Sequence, residues 1–184
     1  RSGERVVTTS PPSSGRTRVR TGVDRLLEQG ARLLRGRRVG LITNPTGVTC
    51  TLESTVDALQ EAGVRLAALF GPEHGVRGDA QDALAVEDFV DPRTGVRVYS
   101  LYGRTLRPKP WMLEDVEVLV FDIQDVGARP YTYTYTMAYA MEAAARHGLG
   151  FVVLDRPNPI NGVRVEGATL EPAFASFVGD YGLP

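Results

Sequence analysis

The stretch Val116-Glu117-Val118-Leu119-Val120-Phe121-Asp122 decides the fold. Val116 to Phe121 is apolar at all but one position and stops at an aspartate, so it reads as a strand buried on both faces. Downstream, an Ala- and Met-rich helix is expected over about Thr132 to His147, capped by Gly148, leading into a second apolar strand, Phe151 to Leu154. Upstream, Val64 to Phe70 ends at Gly71-Pro72, and Val39-Gly40-Leu41-Ile42 ends at Thr43-Asn44-Pro45-Thr46-Gly47. Between these two, residues 52–62 read as a helix with Leu52, Val56 and Leu59 on one face and Gly63 as its stop. A weaker strand, Val96 to Ser100, follows a turn at Asp91-Pro92-Arg93-Thr94-Gly95. Val23, Leu26, Leu27, Leu33 and Leu34 keep a broadly helical spacing. Apolar strands alternating with helices make an α/β fold with a mainly parallel sheet and helices on both faces.

The 184 residues are 42% apolar, enough for a sizeable core in one domain, or in one domain and part of a second. A formal net charge of -1 argues against a nucleic-acid partner. No apolar run approaches the roughly 18 residues of a membrane span. Cys50 is the only cysteine, so an internal disulfide is excluded and the redox compartment stays open. Lys109 is the only lysine among 21 basic residues, a bias of base composition more than of function. Residues 1–20 are rich in Ser, Thr, Pro, Gly and Arg and read as a flexible leader, with the α/β domain over 21–184. Such leaders often follow a removed export signal, so export is expected, to the cell envelope, periplasm or exterior; a cytoplasmic location is the alternative.

In a parallel sheet the ligand crevice lies outside the carboxyl ends of the strands. Four strands end at Thr43-Asn44, Gly71-Pro72-Glu73-His74, Asp122-Ile123-Gln124-Asp125 and Asp155-Arg156-Pro157-Asn158, each delivering polar groups to one rim. Turn chemistry accounts for Asn, Asp, Gly and Pro there, but not for Glu73, His74, Gln124 and Arg156. Glu73, between Gly71-Pro72 and His74-Gly75, is a rigidly presented carboxyl suited to general acid or base work; a surface glutamate is the plainer reading. His74 can orient it, bind substrate or be structural. Asp122 is expected to face the crevice, and Asp125 to accept backbone hydrogen bonds or act directly. Arg129 offers a planar fork for a carboxylate, or a salt bridge to Asp122 or Asp125. On the helix Tyr135 and Tyr139 share a face and belong to the core, whereas Tyr131 and Tyr133 at the rim can meet a sugar's apolar faces. Glu166, after the loop Asn158-Pro159-Ile160-Asn161-Gly162, is a further candidate carboxylate or a solvated hairpin residue.

No Gly-x-Gly-x-x-Gly follows a strand, and no Walker A or Gly-x-Ser-x-Gly sequence occurs, which counts against dinucleotide, nucleoside-triphosphate and serine-hydrolase sites. His74 and His147 are the only histidines, too few for a histidine-rich metal site. No metal or cofactor is expected, with a carboxylate-held Mg²⁺ or Ca²⁺ at Asp122 and Asp125 as the alternative.

At these residues the sequence resembles the NamZ-type exo-β-N-acetylmuramidase family, long carried as a domain of unknown function. The resemblance runs from about Gly22 to the end, through Leu41-Ile42-Thr43-Asn44-Pro45-Thr46-Gly47, Ala68-Leu69-Phe70-Gly71-Pro72-Glu73-His74-Gly75 and Tyr99-Ser100-Leu101-Tyr102-Gly103. It continues through Val120-Phe121-Asp122-Ile123-Gln124-Asp125-Val126-Gly127, Arg129, Tyr131-Thr132-Tyr133, Thr136-Met137, Val153-Leu154-Asp155-Arg156-Pro157-Asn158-Pro159 and Val165-Glu166-Gly167. Residues about 79–88 and Pro130 depart from its pattern. The family resemblance implies a Rossmann-like catalytic domain, incomplete here, followed by an auxiliary domain, with the cleft near their junction. It implies a bacterial glycoside hydrolase that takes peptidoglycan-derived muropeptides or disaccharides and releases N-acetylmuramic acid from the non-reducing end. Glu73 is then the leading catalytic acid, with Asp122 or Glu166 as partner carboxylate. Asn44, His74, Gln124, Arg129, Tyr131, Tyr133, Arg156 and Asn158 are the expected substrate-binding residues. Arg129 or Arg156 would pair with the lactyl carboxylate of the sugar. Two competing readings are a non-catalytic muropeptide-binding module and a cofactor-dependent Rossmann enzyme, the latter disfavoured by the missing glycine fingerprint.

Overall fold

The computed structural model describes residues 19–78 and 88–184. Most of the expected leader and of the divergent 79–88 segment therefore lie outside the described residues. The elements in order are α1 (Gly22–Glu28), β1 (Arg38–Thr43), α2 (Thr55–Glu61), β2 (Arg65–Gly71), β3 (Phe89–Val90), β4 (Arg97–Ser100), β5 (Val118–Asp122), α3 (Tyr133–His147) and β6 (Gly150–Val153). Short 3₁₀ turns lie at Arg32–Leu34, Pro110–Met112 and Pro172–Phe174.

The sheet order is β3-β4-β2-β1-β5-β6, with every pair parallel except β3–β4. Counting only the parallel strands, the order is 3-2-1-4-5, that of doubly wound folds. The chain reverses its winding between β1 and β5, so the crevice opens beyond Thr43 and Asp122, which are register partners. The α/β class with a mainly parallel sheet is thus as the apolar runs require.

Burial on both faces follows from alternation along each strand. Val118 and Val120 of β5 join Val39, Leu41, Val56, Leu59 and Val23 on the face covered by α1 and α2. Leu119 and Phe121 join Ile42, Phe70, Ala140 and Ala144 on the face covered by α3. Gly40 interrupts β1 for a packing reason: a Cβ there would lie 2.8 Å from the Leu119 side chain and 2.9 Å from the Phe70 ring. α3 begins within a residue of its expected start and ends at Gly148, in the left-handed region at φ 66°. Tyr135 and Tyr139 lie on its buried face, as their spacing implies.

Two local expectations are corrected, and one strand is new. The expected helix over 52–62 starts only at Thr55, and Leu52 sits outside it at φ 65° and 81% exposed, in a turn whose N–H donates to the Thr49 carbonyl. The helical spacing from Val23 to Leu34 is broken at Gly30 and Ala31, both left-handed, so α1 gives way to a 3₁₀ turn. β3 is a two-residue antiparallel edge strand that periodicity has no means of showing.

Candidate active site

Glu73 lies two residues past β2, in a loop whose backbone is bent by His74 at φ 72° and Gly75 at φ 75°. The loop returns through a Gly75 N–H to Pro72 carbonyl bond of 2.9 Å. A non-glycine residue in the left-handed region is uncommon, and here it turns the chain directly after Glu73. The half-buried Glu73 carboxyl accepts the Thr132 hydroxyl at 3.4 Å, just before α3. The next residue, Tyr133, stands beside it. Burial pushes the Tyr133 phenol up, the nearby Glu73 and Tyr131 groups add to this, and a hydrogen bond with Asn44 opposes it. Tyr131 and Tyr133 make an edge-on ring pair at 6.1 Å, with Tyr131 exposed at the rim. Glu73, Asn44, Tyr131 and Tyr133 are therefore brought together from the ends of β1 and β2 and the start of α3, and His74 adjoins Glu73 in sequence.

Asp122 does not face the crevice as expected. It has no solvent exposure, and its two oxygens take Nε and Nη2 of Arg156 at 2.6 and 3.0 Å. Thr55 at the start of α2 donates its hydroxyl to the same carboxylate at 2.5 Å. The physical reason is that a carboxylate ending a fully buried strand needs a counter-charge beneath the rim. Both Asp122 oxygens are thereby engaged within the fold, on Arg156 and Thr55. Arg156 is engaged with it: its side chain is 6% exposed, and Nη2 also donates to the Val48 carbonyl at 2.8 Å. The salt bridge to Asp122 or Asp125, the alternative reading of Arg129, is not formed among the described residues. Arg129 instead donates to the carbonyls of Ala168 and Leu183 at 2.7 and 3.2 Å.

The other residues are distributed as follows. Gln124 uses its amide to tie two loops, donating to the Asp125 and Pro157 carbonyls at 2.7 and 2.9 Å. Asn158 is exposed and accepts the Ile160 N–H, while packing on Gly127, where a Cβ would come within 2.4 Å of its Oδ1. Glu166 is exposed on the loop after Asn161. Asp125 accepts the Gly127 N–H on Oδ2, and its buried Oδ1 has no hydrogen-bond partner among the described residues. A cavity of about 230 Å³ opens here between the ends of β5 and β6 and the start of α3, lined by Gln124, Asp125, Tyr133, Met137, Arg156 and Asn158 among others. Residue reading missed Thr46, Thr55 and Thr132; threonines beside strand ends carry no signal that separates them from turn formers.

The sequence profile described as "Exo-beta-N-acetylmuramidase NamZ, N-terminal" matches residues 39–184. The chain belongs to this family. Among curated proteins, the peptidoglycan beta-N-acetylmuramidase NamZ of Bacillus subtilis (strain 168) is 57% identical over 180 residues, covering 95% of this chain and 44% of that protein. Two solved DUF1343 family proteins of Bacteroides fragilis NCTC 9343 superpose on it. One does so at TM-score 0.84 and 54% identity, over 90% of this chain and 41% of its own. The other does so at TM-score 0.77 and 33% identity, over 91% of this chain and 43% of its own. The chain thus spans less than half the length of the relatives it matches. The NamZ-type resemblance read from the strand-end motifs is the one these comparisons bear out.

Proposed function

We propose that this chain is the Glu73-bearing part of an exo-acting glycoside hydrolase that releases N-acetylmuramic acid from the non-reducing end of peptidoglycan fragments. The observation that carries the reading is the placement of Glu73. It is a carboxyl fixed on a strained loop at the crevice, held by Thr132 and flanked by the Tyr131–Tyr133 ring pair, within a chain 57% identical to a named muramidase. Glycoside cleavage needs an acid that protonates the departing oxygen while positive charge develops on the sugar ring. Glu73 supplies the proton, and the aromatic pair offers a surface for the sugar's C–H face. With Asp122 locked to Arg156, the second group comes from Asp125, Glu166 or the portion of the protein beyond this chain. The enzyme acts outside the cytoplasm, in keeping with substrate fragments that derive from the cell wall.

The test is a chromogenic β-N-acetylmuramide, assayed in a full-length context. Glu73→Gln is expected to lower kcat by about 10²–10⁴-fold with the melting temperature retained. Full activity in that variant removes Glu73 from the chemistry, and muropeptide binding without turnover by the unmodified protein favours a binding module instead.

A further inference from the structure

The cavity between the ends of β5 and β6 and the start of α3 combines an apolar wall with a carboxyl that has an unused oxygen. Phe121 and Ile123, both buried, form the wall together with Met137, which lies one turn along α3 from Tyr133 on the same face. The carboxyl is that of Asp125. Its Oδ2 accepts the Gly127 N–H at 2.8 Å. The chain is held there: Asn158 packs against Gly127, and the Gln124 amide ties the Asp125 carbonyl to that of Pro157. With Oδ2 fixed, Oδ1 has a set direction, and it is buried with no partner among the described residues. A carboxylate oxygen in that condition costs free energy until a donor reaches it. Because Asp125 lines the cavity, that donor belongs to whatever the cavity binds.

We propose that this cavity is the acetamido subsite: Asp125 accepts the N–H of the sugar's 2-acetamido group on Oδ1, and Phe121, Ile123 and Met137 receive its methyl. The proposal rests on the reading of the chain as part of a muramidase, and it names what in the site selects an N-acetylated sugar. Among the substituents of N-acetylmuramic acid, the acetamide alone joins an N–H donor to a methyl group. A hydroxyl can donate to Asp125 but gives the apolar wall nothing to cover. The lactyl arm carries a methyl, but its carboxylate would lie beside the Asp125 carboxylate, and like charges at close range repel. An apolar lining with a few placed polar groups is the usual composition of a small-ligand pocket. At about 230 Å³, against roughly 30 Å³ for one water, the cavity holds the acetamide and the adjoining edge of the ring. Tyr133 lines the cavity and also makes the ring pair with Tyr131, so a sugar lying on that pair has an edge at the cavity. Thr132, the residue before Tyr133, holds Glu73, which puts the subsite and the acid at the same end of α3.

Asp125→Asn keeps the shape of the side chain. Its amide oxygen has to face the Gly127 N–H, so the NH₂ group faces the cavity and meets the acetamide N–H as a second donor. In the full-length protein two chromogenic muramides are compared, one with the 2-acetamido group and one with an acetate ester in its place. Asp125→Asn is expected to lower kcat/KM about tenfold on the amide and to leave it within about twofold on the ester, which has no N–H to lose. An equal loss on both substrates assigns Asp125 to the chemistry or to the fold and overturns the proposal, as does no loss on the amide. NMR gives a readout that needs no turnover. With N-acetylmuramic acid carrying carbon-13 in its acetyl methyl, cross-peaks from that methyl to the Met137 and Ile123 methyl groups are expected in the unmodified protein. Contacts from the lactyl methyl in their place, or bound sugar without contact to either residue, overturn the proposal. Turnover combined with such a failure leaves the muramidase reading standing and removes the subsite alone. If the unmodified protein neither binds N-acetylmuramic acid nor cleaves either muramide, the muramidase reading fails and the subsite falls with it.

Discussion

Asp122 ends β5 with no contact to water, and three donor groups converge on it: Nε and Nη2 of Arg156 and the Thr55 hydroxyl. A buried charge of this kind is tolerated because its partner is present, so removing one side leaves the other uncompensated in the interior. Asp122→Ala is expected to destabilise the chain by about 3–5 kcal/mol in urea titration. The double variant Asp122→Ala/Arg156→Leu should lose less than the sum of the single losses. A loss below about 1 kcal/mol for Asp122→Ala would show that the pair holds little of the fold. The sequence displayed both residues as polar groups at strand ends, which is as far as residue reading goes. That Arg156 and not Arg129 is the partner depends on β6 lying beside β5 and on the reach of a guanidinium across the loop from Val48, neither of which is encoded locally.

At the scale of elements, the loop that presents Glu73 is tied down at its far end by Arg77. Its guanidinium takes Asp91 at 2.7 and 2.9 Å and Asp57 of α2 at 3.1 Å, joining the loop to the β3–β4 turn and to a helix on one face of the sheet. The Arg77 hydrogen bonds, opposed by burial and aided by Thr94, hold the Asp91 carboxyl down at about 2, against an ordinary 3.8. A carboxyl depressed in the folded state contributes stability that is fully present above its unfolded value near 3.8 and is lost as pH falls through about 2. That contribution is on the order of 2 kcal/mol. Asp91→Asn should therefore flatten the stability–pH curve between about pH 4 and 2 in chemical denaturation. A curve with the same slope as the unmodified chain would rule out this pair as its source. The apolar strands were legible because burial on both faces leaves an unbroken run, as in Val118–Phe121. β3 was not, because two residues paired to one edge leave no period, and Leu52 misled because an apolar residue at helical spacing can still lie in the turn before the helix.

The whole molecule has two sheet edges of different kinds. Among the described residues, β3 closes one with two residues in antiparallel pairing, whereas no strand pairs with the outer side of β6, where Val153 is 45% exposed. Exposed apolar side chains continue along the following segment, Val163 at 92% and Val165 at 79%. An open edge beside apolar surface invites pairing between copies, and a lysine on the edge opposes it. Val153→Lys is expected to reduce concentration-dependent self-association of this chain in light scattering, with stability changed by less than about 0.5 kcal/mol. The doubly wound order was legible only as a class, since the sequence tells which segments are strands but not which lie side by side. Beyond β6 the chain forms only one 3₁₀ turn and a single isolated bridge among the described residues, and it is fastened by Arg129, whose one amino group holds the carbonyls of Ala168 and Leu183. One guanidinium thus joins the two ends of this loop beside a long Leu170 N–H to Leu183 carbonyl bond of 3.4 Å, while Tyr181 donates its hydroxyl to Glu142 at 2.7 Å and Phe177 stacks on Tyr139 between them. Such a clasp makes opening a shared event. In hydrogen–deuterium exchange the amides from Leu170 to Leu183 are expected to exchange together as one cooperative unit, and in Arg129→Ala to exchange at the rates of unstructured peptide while those of β5 stay protected.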